Sequence, residues 1–219
     1  ENTVFDTSTD IEVEGQPLPA GRYGLHMIPT DGDWTVIFST MSVAWGSYTY
    51  DPAEDALRVT VTPREGPMTE RLAYRFDDPT DADAFLVLSW DELEVPIELH
   101  VSTPRVVLEK MEAELRGVDG FYWESWDQIA RYAFDHHERV EEALGWADRS
   151  IAIRPTFANH MTKARLYYAL DDPQAAAAVE TEAYQLATEE EVRAYARARR
   201  RAGQTAEADA ILERIDEIP

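Results

Sequence analysis

The stretch "GRYGLHMIPTDGDWTVIF", residues 21–38, decides how the first half of the chain folds. Two short runs of strand-forming residues flank the turn-rich "PTDGD", which reads as an antiparallel hairpin. Its register sets which side chains share a face, because a slip of one residue turns each of them over. With "PTDG" as a four-residue loop, Met27 pairs with Trp34, Leu25 with Val36 and Tyr23 with Phe38, and the large apolar groups gather on one core face. A five-residue loop would set His26 against Val36 and mix the faces, so the first register is the better pattern. His26 then lies opposite Thr35 on the outer face, near Ile28 and Ile37, and that face is expected to be partly covered. An interface or outer-face role is expected for His26 rather than catalysis; a solvent-open cleft around it would reverse that expectation.

Working outward, strand signals continue to about residue 104. "VFDTSTDIEVEG", "ALRVTVTP", "ERLAYRF", "AFLVLSW" and "VPIELHVS" are separated by Pro, Asp and Gly groups. Seven or eight short strands at roughly ten-residue spacing, with no helical run among them, predict an antiparallel β-sandwich or barrel. From "RVVLEKMEAELRG" onward the apolar period becomes helical, with further helices expected near 125–136, 138–153, 157–170, 173–187, 189–202 and 204–216. The sequence therefore reads as an α+β multidomain chain: a sandwich over 1–104 and an all-helical domain over 105–219. Charge divides unevenly at the same place, with 20 acidic and 5 basic residues before position 105 against 23 and 15 after it.

The helical half carries a weak internal repeat. "ERVEEALGWADRSIAIRP", "DDPQAAAAVETEAYQLA" and "GQTAEADAILERI" align on Ala143, Ala176 and Ala208, spaced near the 34-residue tetratricopeptide period. Small residues there let paired helices approach closely. A plain helical bundle is the competing reading.

A formal net charge of -23 argues against nucleic acid as a partner, since a phosphate backbone needs a basic surface, and against an anionic membrane surface. Lys110 and Lys163 are the only lysines, and an acid-rich, lysine-poor surface suits concentrated salt as well as plain solubility. With no cysteine there is no disulfide and no thiolate metal site. No apolar run reaches eighteen residues, so no membrane insertion is expected. The first residue is Glu rather than Met, which leaves a removed leader open.

"LPAGRYGLHMIP", "DWTVIFS", "WGSYTYDPAEDALRVTV" and "LSWDELEVPIELHV" resemble the core of the domain-of-unknown-function family 2911. "GFYWESWDQIARYAF", "VEEALGWADRSI" and "TKARLYYAL" are similar to the helical extension that many members carry. The resemblance implies a β-rich domain, frequent export signals, hence a periplasmic or otherwise exported location, and no established activity. It also implies strands upstream of "ENTVF".

Catalytic signatures are missing: there is no G-x-S-x-G elbow, no phosphate-cradling glycine loop and no H-E-x-x-H. No residue is singled out as catalytic or as a metal ligand, and no cofactor is implied. The adjacent His136 and His137 point about 100° apart on a helix, which suits a polar turn better than one ion. Ligand-binding candidates are His26 with the aromatic group Trp45, Tyr48 and Tyr50, since aromatics on a loop or sheet edge stack against sugars or peptides. Core packing is the competing use. Partner-binding candidates are Arg197, Arg200 and Arg201, a basic run in an acidic chain, which either meets an acidic partner or this protein's own acidic surface. The leading expectation is a non-enzymatic scaffold whose helical half binds a protein or peptide, with self-association open. The alternative is a hydrolase acting on a carbohydrate or other polar ligand, with His26 and a nearby carboxylate supplying acid–base chemistry.

Overall fold

A computed structural model describes all 219 residues, which divide into two compact units, Glu1–Thr103 and Pro104–Pro219. The first unit holds eight strands in two antiparallel four-stranded sheets. One is ordered β1 (Thr3–Thr7), β4 (Gly21–Ile28), β5 (Trp34–Ser39), β6 (Asp55–Val61). The other is ordered β3 (Gln16–Leu18), β2 (Ile11–Val13), β8 (Asp83–His100), β7 (Arg64–Asp77). Tyr23, Val36, Phe38 and Val59 from the first sheet meet Val13, Leu88, Val95 and Ile97 from the second in one shared apolar core. That is a β-sandwich, and period-2 alternation built it: β6 reads buried at Leu57, Val59 and Val61 and exposed at the residues between.

The β4–β5 hairpin keeps the expected faces and changes the expected pairs. Leu25 sits opposite Phe38, His26 opposite Ile37 and Met27 opposite Val36, two residues away from the four-residue-loop register. A slip of two leaves every side chain on its face. The loop is wider because Thr30 organises it: its hydroxyl accepts from Gly32 N–H at 3.1 Å and donates to Asp33 O at 2.7 Å, while the Trp34 indole donates to Thr30 O at 3.2 Å. Trp34 is thereby freed from β4 and pairs with Val61 on β6.

"AFLVLSW" and "VPIELHVS" run together as β8, whose two ends meet. Val101 N–H donates to Ala82 O at 2.7 Å, and Asp91 takes a left-handed φ of 55° midway. Strand β7 follows this bend on the outside and needs extra residues to do so, which appear as register shifts between Glu65 and Thr69 and between Thr69 and Ala73.

The second unit is helical: α1 (Thr103–Glu114), α2 (Trp123–His136), α3 (Val140–Ile153), α4 (Phe157–Ala169), α5 (Pro173–Leu186), α6 (Glu189–Arg201) and α7 (Thr205–Glu213). Local chemistry sets the starts. Thr156 with Asn159 and Thr188 with Glu191 form capping boxes, and Asp172 caps α5 ahead of Pro173. From α2 onward the helices form three hairpins with three-residue turns, and left-handed residues mark each turn: His137 and Arg139, Asp171, and Gly203. Ala143, Ala176 and Ala208 each fall fourth in the second helix of a hairpin, and each is fully buried. A methyl group is the largest side chain that such close backbones admit. No helix is long and apolar enough to cross a membrane.

Candidate functional site

The expected ligand cluster of the β unit is only half assembled. His26 is half-buried on the outer face, its Nδ1 is 2.8 Å from Ser47 Oγ, and its ring lies 5.4 Å from that of Tyr50. What covers this face is the loop after β5. At Gly24, beside His26, any side chain would strike Met41 O at 2.5 Å, so glycine is what lets that loop run across the strand. Tyr50 is tied down, its hydroxyl donating to Asp55 and accepting from Arg58. Trp45 and Tyr48 pack into nothing: they are 80% and 89% exposed, rings 6.0 Å apart. The core-packing reading of these two fails, since at this exposure neither ring joins the sandwich core. The carboxylate that acid–base chemistry would require beside His26 is replaced there by a serine hydroxyl.

Elsewhere in this unit the meeting ends of β8 place His100 Nδ1 2.6 Å from Asp83 Oδ1. This pair borders an apolar hollow of about 310 Å³ walled by Phe5, Ile11, Phe76 and Leu99. Its bond to Asp83 raises the His100 pKa, and the same bond lowers that of Asp83. No group of three or more His, Asp or Glu side chains is arranged to hold a metal ion.

The basic run on α6 is divided by the helical turn of 100° per residue. Arg197 and Arg201 are exposed, Arg200 pairs with Asp209 of α7, and Arg199 turns inward over the Tyr195 ring at 5.0 Å. Arg197, Arg200 and Arg201, spaced i, i+3 and i+4, share one exposed face of α6, on which Arg200 is already paired with Asp209.

Arg199 leads instead to a set that sequence reading missed. Arg131, Arg165 and Arg199 stand 34 residues apart on α2, α4 and α6, the first helices of the three hairpins. That spacing equals the tetratricopeptide period and was available in the sequence; alignment on the alanines of the second helices hid it. The three guanidiniums converge on one polar centre. Arg131 Nε is 3.2 Å from Asp127 Oδ2, Arg165 Nη2 donates to Asp135 at 3.3 Å, and Arg199 Nη1 donates to Gln204 Oε1 at 3.1 Å. Burial pushes the Asp127 carboxyl up, while Thr162 and the charges of Arg131, Arg199 and Arg165 pull it back. Burial likewise raises the Tyr195 phenol, against the pull of Arg199 and Arg165.

The centre is incompletely satisfied. Asp127 Oδ1, Arg131 Nε, Arg165 Nη1, Tyr195 Oη, Arg199 Nε and Glu207 Oε1 are all buried without a hydrogen-bond partner. Two of the six still stand in ion pairs, Arg131 Nε with Asp127 at 3.2 Å and Glu207 Oε1 with Arg165 at 3.6 Å. Of the six, those of Arg165 and Glu207 belong to side chains that line a groove of about 630 Å³. Its walls are Phe134 on α2, Met161 and Tyr168 on α4, Tyr184 on α5 and Ile211 on α7. Arg165 lies flat on the Phe134 ring at 4.1 Å with its side chain only 10% exposed, and Glu207 Oε1 is 3.6 Å from its Nε. Across the groove Arg214 covers the Tyr184 ring at 4.5 Å and is held by Glu180 and Glu217. Tyr184 donates to Ile211 O at 2.9 Å, and burial pushes its pKa up to about 12.

Residues 1–99 match the family described as Protein of unknown function (DUF2911). Neither a curated protein nor a solved structure matches the chain. The helices lie outside the matched residues, so the groove and its arginines carry no family description. The likeness to this family of proteins of unknown function is thus a property of the β-sandwich unit, residues 1–99.

Proposed function

We propose that the protein is a non-enzymatic binding protein, in which the β-sandwich is a rigid scaffold and the helical unit, a tetratricopeptide-like array, receives a peptide segment of a partner protein in its groove. One observation carries this: the helical unit holds a hollow of about 630 Å³ walled by Phe134, Met161, Tyr168, Tyr184 and Ile211, with the charged side chains of Arg165, Glu180, Glu207 and Arg214 among them. The mix of aromatic walls with a few convergent polar groups is the usual character of a ligand site.

The test is a photo-crosslinking residue, benzoylphenylalanine, placed at Tyr168 on the groove wall or at Glu182 on the exposed side of α5. Irradiation in extract of the source organism, at its working salt, should give a discrete adduct at position 168 and none at 182. Identical adducts at both positions, or none at either across salt conditions, would contradict the groove.

A further inference from the structure

The sandwich ends on four edge strands, β1, β6, β3 and β7, and they are not equally protected. β1 and β3 are short, with five and three residues, and β6 turns Leu57, Val59 and Val61 into the core. β7 is the exception. It runs for 14 residues, pairs with β8 on one side only, and makes no backbone hydrogen bond on the other. Its apolar residues are also uncovered: Met68, Leu72 and Phe76 are 67%, 53% and 62% exposed. Tyr74 and Phe76 lie opposite Leu88 and Leu86 of the core, so they stand on the inner face. Phe76 is this exposed there because the opposing sheet stops short of covering β7, which leaves room for a further strand beside it.

The residues along the edge favour one such strand. Pro67 and the register shifts before Ala73 bar the first part of β7 from regular pairing, whereas Ala73 to Asp77 run regularly. For inner faces to continue across a second β7, even-numbered residues must face even-numbered ones. A two-fold axis at Tyr74 then sets Leu72 against the partner's Phe76 and Arg71 against the partner's Asp77. Arg71 is exposed and makes no ion pair within its own chain, and Asp77, paired with Arg75, keeps 28% of its side chain exposed. Moving the register by two residues sets Arg71 against the partner's Arg75, and moving it the other way sets Arg75 against the partner's Arg75. Both are like-charge pairs, which weaken a sheet.

We infer that β7 pairs antiparallel with β7 of a second copy about a two-fold axis at Tyr74, joining two four-stranded sheets into one. The match of this edge with itself favours a second copy over a strand of another protein. The surface is separate from the helical groove and stands whether or not the groove binds a peptide.

Sedimentation velocity on the full chain, across a dilution series in dilute buffer and in molar salt, reads the dimer. Two copies of formal net charge -23 repel, so the dissociation constant should be at least tenfold smaller in molar salt. Leu72→Lys lowers that repulsion yet puts an ammonium against the partner's Phe76. It should weaken the dimer at least tenfold, and thermal melting checks that it folds. The chain holds no cysteine, so single cysteines report the register. On mild oxidation a mixture of Arg71→Cys and Asp77→Cys should crosslink to a dimer. Either variant alone should not, because each position then lies about 20 Å from its own copy. A monomer at every concentration in molar salt would overturn the inference. So would a dimer that Leu72→Lys leaves intact, or crosslinking of either cysteine variant alone as strong as that of the mixture.

Discussion

The two units treat polar side chains in opposite ways. In the sandwich, the buried Glu94 carboxylate is met by Arg64 at 3.0 Å and Arg75 at 2.6 Å. In the helical unit, buried charges meet partners only in part. All seven buried side-chain atoms without a hydrogen-bond partner lie there, and none lies in residues 1–103. In the helical unit six of the seven such atoms lie on α2, α4 and α6, the first helices of the hairpins, and the seventh, Glu207 Oε1, on α7. The difference separates a unit whose buried charge is matched from one whose buried charges are matched only in part.

The largest expected effect falls on the sandwich core. Phe38 is fully buried, with the rings of Phe5 at 5.3 Å and Tyr23 at 6.4 Å in edge contact. Phe38→Ala should cost about 3–5 kcal/mol, read as a lower urea midpoint. A loss below about 1 kcal/mol would mean that the shared core does not hold the sheets. Next in size is the helical unit's own packing. Ala176→Leu places three further carbons between α4 and α5 and should cost about 1–3 kcal/mol by the same measurement. An unchanged midpoint would show that the hairpins are not close-packed at the aligned alanines.

The smallest effect concerns the matched charges of the sandwich. Because Asp83 raises the His100 pKa, the pair's contribution through His100 is complete below about pH 6.5 and fades as pH rises through the higher folded value. Through Asp83 it is present above about pH 3.9 and fades as pH falls through the lowered folded value. An NMR titration of the His100 ring should therefore show a midpoint above about 6.5, and Asp83→Asn should bring it down. A midpoint that Asp83→Asn leaves unmoved would exclude the bond in solution.

Much of this was legible in the sequence, and the reasons are local. Strand alternation and capping residues act within a few positions, so most strand runs, the switch near residue 104 and the helix limits could be read directly, whereas the two runs that join as β8 read as separate strands. The face of His26 was legible because it depends on parity alone. Its pairing was not, because the Thr30 hydroxyl reshapes the turn through contacts that no periodicity reports. For Trp45 and Tyr48 the sequence leaves ligand binding and core packing as competing uses, because whether a loop aromatic is buried depends on what the tertiary fold lays over it. The arginine set was visible as a spacing, but not its depth: Arg165 is buried only because α2 and α7 close around α4, with Phe134 beneath and Glu207 alongside.

The most direct test of the proposed groove removes its charged pair together. Arg165→Met with Glu207→Met leaves no buried charge stranded in the groove, and such paired replacement is commonly neutral or stabilising. The expected result is a melting temperature equal to or above that of the unaltered protein, with the discrete crosslink at position 168 lost. A lower melting temperature with the crosslink intact would contradict it, because the polar centre would then serve the fold and not a ligand.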